Sequence, residues 1–286
     1  MPINNSPTIR QRRLARRLRE LRTAAGLSYA HAAEVLGSSE SKIGRLENAQ
    51  SGIRLLDLRA LMDAYGVADP DTRSEIELLA RESKQKGWWQ RYAKSVAPEY
   101  AAYVAVEWDA AEVYNVETSL MPGLLQTPDY TRAVVLLQAP DATPEAVEAQ
   151  INVKRERREI LTRANPLQLW VIIAESVLYH RVGTREVMKA QLEALIADSH
   201  RQNVELQVLP REDPMNACLF GPFVIMSFPT PGETDIIYTD SPTSTTYYEE
   251  ATDVETYATL FRRLNMAAAD VRKSRDLISG ALKEMV

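Results

Sequence analysis

The stretch from Ser28 to Asn48, Ser-Tyr-Ala-His-Ala-Ala-Glu-Val-Leu-Gly-Ser-Ser-Glu-Ser-Lys-Ile-Gly-Arg-Leu-Glu-Asn, constrains the chain more than any other. Ser28 suits the start of a first helix, since its hydroxyl can accept a free N–H of the opening turn. Ala32, Ala33 and Leu36 give that helix a small apolar face, and Gly37 ends it in a left-handed cap. Ser38 or Ser39 then caps a second helix. Ile43 and Leu46, three apart, point inward, while Glu40, Ser41, Lys42 and Arg45 remain outside. Two short helices on a tight turn can lay the second in a DNA major groove, its first residues at the base edges.

Ser28, Ala32, Gly37, Ser39, Ile43, Arg45, Leu46, Glu47 and Asn48 together resemble the helix-turn-helix of the lambda-repressor-like, xenobiotic-response-element family, over roughly the first 68 residues. Two positions depart from that pattern. Tyr29 stands where the family often has a phosphate-contacting glutamine, and Ala49 where a glycine usually follows the recognition helix. The resemblance implies an all-α five-helix head that binds double-stranded DNA. A homodimer is expected, because one such head makes a small interface and twofold half-sites multiply affinity. Glu40, Ser41 and Arg45 are the expected base-edge contacts: arginine grips guanine with two hydrogen bonds, and glutamate accepts from cytosine N4. Ser28, Tyr29, Ser39, Lys42 and Asn48 are expected at phosphates. Outside such a motif, Lys42 and Arg45 would read as an ordinary solvated helix face. The resemblance also implies that Arg22 pairs with Glu47 as a structural ion pair tying the first helix to the recognition helix.

Around this motif, residues 9–25 read as a helix with Leu14, Leu18 and Leu21 on one stripe and residues 1–8 as disordered. Seven arginines, Arg10, Arg12, Arg13, Arg16, Arg17, Arg19 and Arg22, crowd its other faces against one acid, Glu20. They repel one another on an isolated helix, and phosphates would relieve that. A helix over 54–65 closes the small core with Leu55, Leu58, Leu61, Met62 and Tyr65, and Gly66 stops it. Asp69-Pro70-Asp71 opens another, running to about Lys84. Residues 1–68 hold eleven Lys and Arg against six Asp and Glu, a net +5, which leaves −10 for the rest of a chain whose total is −5. A basic end on an acidic body fits a DNA-binding head on a separate domain.

With 286 residues, 45% hydrophobic and 26% charged, the chain can bury the cores of two ordinary domains. No run of eighteen apolar residues exists to span a membrane, and the Arg-rich start lacks the apolar block of a secretion signal. A single cysteine, Cys218, excludes an internal disulfide framework, so a reducing cytoplasm is expected.

Composition shifts near Lys84 to Gly87. All four tryptophans lie beyond it, which divides the chain into a head over 1–86 and a larger domain over 87–286. In that domain residues 99–116 read as one helix. Thr127-Pro128 and Thr143-Pro144 start two more, the latter running to Arg163. Leu167–Ala174, Val204–Leu209, Phe223–Phe228, Ile236–Thr239 and Thr245–Tyr248 read as strands, with a helix over 184–199 and a closing helix from about Asp253 to Ala281. This is an α+β domain with helices first and a mostly antiparallel sheet later.

Its order of motifs carries a second resemblance. Trp88-Trp89, Glu107, the run Pro122-Gly123-Leu124-Leu125-Gln126-Thr127-Pro128-Asp129-Tyr130, Arg155 to Arg158, Glu175 with Arg181-Val182-Gly183, Gln191-Leu192 and Val208-Leu209-Pro210 resemble the antitoxin-like C-terminal domain of actinobacterial WhiJ-type regulators. That resemblance covers nearly all of 87–281 and implies a small protein partner encoded by a neighbouring gene. The family usually has tyrosine then glutamate in the third late strand, where this chain has Tyr238-Thr239-Asp240.

Enzyme chemistry has no motif here. His31, His180 and His200 lack ligand spacing, so no metal is expected; Cys218 reads as a small buried hydrophobe, and no phosphate-cradling glycine loop or Gly-x-Ser-x-Gly occurs, so no cofactor is expected. A Trp pair such as Trp88-Trp89 is more often packing than a stacking platform. Glu107, Glu175 and Asp240 are paired carboxylates only if the fold brings them together. The sequence therefore reads as a DNA-binding regulator whose second domain docks a partner, with a small-molecule sensor as the alternative. Trp88, Trp89, Glu107, Glu175 and Tyr238 are the candidate partner- or ligand-binding residues.

Overall fold

A computed structural model describes residues 9–83, 87–92, 95–218, 221–229, 234–241 and 243–285. The expected disorder of residues 1–8, the sequence boundary at 84–86, most of the turn at 229–232, Pro242 and the side chain of Cys218 lie outside the description. The chain divides into two compact units, Met1–Gln90 and Arg91–Val286.

Among the described residues the first unit has five α-helices: α1 Ile9–Ala24, α2 Tyr29–Val35, α3 Glu40–Glu47, α4 Leu55–Ala64 and α5 Pro70–Glu82. Capping residues set their starts. Ser28 Oγ accepts the His31 amide at 3.2 Å, Ser39 Oγ the Lys42 amide at 3.3 Å, and the Asp69 carboxylate the Thr72 amide at 2.8 Å, just before Pro70. Hydrogen bonds from Thr72 hold the Asp69 carboxyl below its usual range. Leu14, Leu18, Ile43, Leu46, Leu58, Leu61, Met62 and Ile76 form one core.

Four of these helices end the same way. The residue after the cap turns left-handed, and the next amide reaches back five residues: Leu27 to Arg22, Ser38 to Ala33, Gln50 to Arg45 and Val67 to Met62. Gly26, Gly37 and Gly66 fill three of the left-handed positions, and Ala49, at φ 56°, fills the fourth. A Cβ in that region costs about 1–2 kcal/mol. Glycine removes the clash but gives up chain entropy and a buried methyl, so Ala49→Gly is expected to stabilise the protein by about 0.5–1 kcal/mol. Urea denaturation checks this; a loss of stability would show that the methyl's packing outweighs the strain.

The second unit is α+β. It runs α6 Pro98–Asp109, β1 Glu112–Glu117, α7 Pro128–Gln138, α8 Pro144–Arg157, β2 Gln168–Ala174, α9 Arg185–Asp198, β3 Val204–Leu209, β4 Phe223–Ser227, β5 Ile236–Ser241, β6 Ser244–Tyr248, α10 Ala251–Ala267 and α11 Val271–Glu284, with short 3₁₀ turns between. The six strands form one mixed sheet in the order β3-β2-β1-β4-β5-β6. β1, β2 and β3 are parallel and joined by helical crossovers; β1, β4, β5 and β6 are antiparallel.

Two expectations about elements need correction. Residues 99–116 are not one helix: α6 stops at Asp109 and the chain enters β1, which pairs on both sides. The alanines Ala110 and Ala111 mask the break, and the short Val113-Tyr114-Asn115-Val116 segment becomes a strand through partners distant in sequence. The closing helix is likewise two. At Ala268–Asp270 the chain leaves the helix and stitches onto β3: the Ala269 amide donates to Val208 O at 2.9 Å, and the Val208 amide to Ser274 Oγ at 2.9 Å. The Asp270 carboxylate then caps α11. This seam covers backbone groups that the edge strand β3 would otherwise leave unpaired.

Sheet alternation separates two faces. Tyr114, Val116, Ile172, Phe223, Ile225 and Ile237 join the core packed with Phe261 and Leu264 of α10, with the Tyr114 and Trp170 rings stacked at 4.8 Å. Asn115, Val171, Leu206, Val224 and Tyr238 occupy one row on the opposite face.

Candidate functional site

In the first unit, α3 is short and fixed at both ends. Its start is the Ser39 cap. Its end is Glu47, whose side chain is 1% exposed and receives Arg22 through two bonds, Nε to Oε1 at 2.7 Å and Nη2 to Oε2 at 2.9 Å. Arg22 also donates to Leu27 O at 2.7 Å, and its guanidinium lies 4.4 Å from the centroid of the Tyr29 ring. The bond to Glu47 raises the Arg22 pKa against the opposing effect of burial. Arg19 adds bonds to Glu47 O at 3.2 Å and Asn48 Oδ1 at 2.7 Å. Glu47 thus ties α1 to α3 on the inner side while the outer face of α3 stays in solvent.

On that outer face, Ser28, Ser39, Glu40, Ser41, Arg45 and Asn48 are exposed. Arg45 Nη1 donates to Ser41 Oγ at 3.0 Å, and Lys42, half-buried, reaches Asp57 at 3.1 Å. Tyr29 is partly buried against the core.

In the second unit, polar residues gather against the sheet face opposite α10. Arg157 at the end of α8 donates from Nε and Nη2 to the two oxygens of Glu107, at 2.8 and 2.7 Å, and from Nη1 to Tyr100 Oη at 2.7 Å. Tyr103 Oη donates to the same carboxylate at 2.9 Å. Arg157 and Glu107 are 4% and 2% exposed. Burial opposes the charge on Arg157, but the Glu107 carboxylate more than restores it, so Arg157 stays a cation. Tyr238 of β5 sits with its ring 4.5 Å from that of Tyr103.

Beside this pair lies a less complete one. Glu117, the last residue of β1, accepts from Asn115 Nδ2 at 3.3 Å. Lys154, one turn before Arg157, donates to Gln126 Oε1. Burial pushes the Glu117 carboxyl up to about 7 and, with help from Arg157, the Lys154 amine down to about 7. Both residues nonetheless keep part of their surface accessible.

Residues 13–76 match the family model described as a helix-turn-helix domain, and residues 100–280 match that of a domain of unknown function (DUF5753). The chain belongs to the DUF5753 family. No curated protein and no solved structure matches it.

Within this DUF5753 domain the run Met121–Thr131 is a structural belt. The buried Gln191 accepts from the Thr127 amide at 2.7 Å and donates to Leu125 O at 2.8 Å, while Gln126 donates to Met121 O at 2.7 Å. A Cβ on Gly123 would come within 3.3 Å of Arg157 Nη1, so glycine lets the belt lie on the guanidinium. The Arg155–Arg158 run splits three ways: Arg155 is exposed, Arg157 turns in to Glu107, and Arg158 binds the buried Asp198 at 2.6 Å, which also takes Arg201.

The remaining candidates scatter. Glu175, in the turn after β2, accepts the Arg211 amide at 2.9 Å and fixes the chain leaving β3. Trp88 and Trp89 pack edge to face with centroids 5.9 Å apart in the first unit, and a Cβ on Gly87 would collide with the Trp89 ring. Glu107 and Tyr238 do come together, around Tyr103. Asn115, Glu117, Lys154 and Tyr103 were not singled out by sequence, since no local pattern marks them. Among the described residues no three His, Cys, Asp or Glu side chains form a metal-binding group, and no helix is long and apolar enough to cross a membrane.

Proposed function

We infer that this chain is a sequence-specific DNA-binding transcriptional regulator, with residues 1–86 as the DNA-binding domain and 87–286 as the domain that receives its signal. The observation that carries this is α3: Glu40, Ser41 and Arg45 project into solvent from a helix locked by the Ser39 cap and the Arg22–Glu47 pair. The helix-turn-helix match over 13–76 supports it. Base edges fall to Glu40, Ser41 and Arg45, and phosphates to Ser28, Tyr29, Ser39, Lys42 and Asn48. Arg45 and Lys42 exchange solvent-accessible bonds to Ser41 and Asp57 for DNA, at small cost. Two copies bind as a homodimer on related half-sites.

Arg45→Ala is expected to cost about 1–3 kcal/mol on the preferred operator and to relax base choice at one position. Lys42→Ala is expected to lower the salt slope of binding by about one unit. Titrations over operator variants and salt concentrations check both. Equal loss on every sequence would make Arg45 a phosphate contact, and an unchanged slope would remove Lys42 from the footprint.

The second domain docks a small protein encoded by a neighbouring gene, in keeping with its resemblance to WhiJ-type regulators; pull-down with that product tests it. A second reading, a small-molecule sensor, is favoured by the buried polar groups around Glu117. Either makes the protein a regulator rather than an enzyme.

A further inference from the structure

Three residues of the DUF5753 domain leave a set of polar groups incomplete. Asn115 is 7% exposed, and its Oδ1 is shut off from solvent with no hydrogen-bond partner. The bond from Nδ2 to Glu117 sets the amide's orientation, so the unmet group is the acceptor. Buried acceptors are nearly always matched, and leaving one unmatched is costly. Glu117 accepts from that amide alone among the described residues, and Lys154 donates to Gln126 alone. Each charge acts on the other, yet among the described residues no direct ion pair joins them. Among the described residues the side-chain hydrogen bonds of the neighbouring Arg157 go to Glu107 and Tyr100, and none reaches Asn115 or Glu117.

The available chemistry is two-sided. On the β1 side stand two acceptors, a carboxylate and an amide oxygen. On the α8 side stands an amine. We propose that these three side chains form a binding site for a small zwitterion of the amino-acid kind, its ammonium on Glu117 and Asn115 Oδ1 and its carboxylate on Lys154. Such a ligand gives Asn115 the donor it lacks and both side chains opposite charges. Glu117, bonded to that amide, keeps accessible surface. Burial disfavours the charged forms of Glu117 and Lys154, and the opposite charges of a bound zwitterion would favour them again. The proposal rests on the small-molecule reading of this domain and adds its place and chemistry.

The test is calorimetric titration and thermal shift of the full chain with the twenty common L-amino acids. Control arms are propylamine, propionate and a broad panel of non-zwitterionic metabolites. At least one amino acid is expected to bind and raise the melting temperature. The matched amine and carboxylate are expected to bind at least about tenfold more weakly, each having lost a charge-assisted contact. Glu117→Gln and Lys154→Met are each expected to weaken the amino acid by about tenfold or more. Circular dichroism checks folding, and the two variants act on opposite ends of the ligand, so loss of one by misfolding leaves the other as the test. Binding unchanged in both variants overturns the site. A response to non-zwitterionic metabolites alone overturns the ligand class and leaves small-molecule sensing standing. No response to any compound overturns both.

Discussion

Arg157→Ala is expected to destabilise the DUF5753 domain by about 3–5 kcal/mol, the cost of stranding one partner of a buried ion pair. Glu107 would be left at 2% exposure with Tyr103 as its one side-chain partner among the described residues, and Tyr100 would lose its donor. The belt at Gly123 would lose the surface it lies on. A domain is stable by about 5–15 kcal/mol in total, so this one change takes a large share. The pair differs from a surface salt bridge in this respect: its gain over a hydrophobic pair of the same shape is small, but its one-sided loss is severe. The double variant Arg157→Met with Glu107→Leu is accordingly expected to recover most of the loss. Urea denaturation followed by tryptophan fluorescence measures both variants against the unsubstituted protein; a single-variant cost below about 1 kcal/mol would place the pair with surface bridges instead.

Glu47→Ala is expected to have the second-largest effect, about 3 kcal/mol in the helix-turn-helix unit. It removes both bonds from Arg22 and leaves that guanidinium, 13% exposed, with Leu27 O and the Tyr29 ring. α1 and α3 would then be joined by apolar contacts and by Arg19 to Glu47 O and Asn48. Hydrogen exchange on the full chain reads this locally: amides of α3 should lose about a hundredfold in protection, since each 1.4 kcal/mol is a factor of ten. DNA affinity should fall with it, although Glu47 is buried behind the face proposed to contact DNA. Unchanged protection with weakened DNA binding would instead assign Glu47 a direct role at the interface.

These two pairs show why one unit was readable and the other only in outline. In the helix-turn-helix unit the signals are local. Ser28, Ser39 and Asp69 cap helices three residues from the amides they accept, and Gly37 and Gly66 end helices within one turn. Ile43 and Leu46 face inward by spacing alone. The Arg22–Glu47 pair spans twenty-five residues and came only through family resemblance. In the DUF5753 domain the strands β2 and β3 stand out by composition and alternation, whereas β1 does not. Its six residues follow a helix without a glycine or proline between, and β2 and β4 on either side decide their conformation. Missing β1 hides everything mounted on it: Asn115 and Glu117 point to the α8 side only once the strand is known. Gly123 and Gln191 belong to the family pattern, but their reasons, an arginine 34 residues on and a backbone 66 residues back, are matters of packing.

Whether α3 is held outward to enter duplex DNA is decided by a binding titration of the full chain. The probe is the DNA upstream of its own gene, from low to moderate ionic strength. A complex is expected at low salt, with an affinity that falls log-linearly with salt and is lost when Glu40, Ser41 and Arg45 are together replaced by alanine in a protein that remains folded. No complex at low ionic strength, or one that survives the triple replacement unchanged, would contradict it.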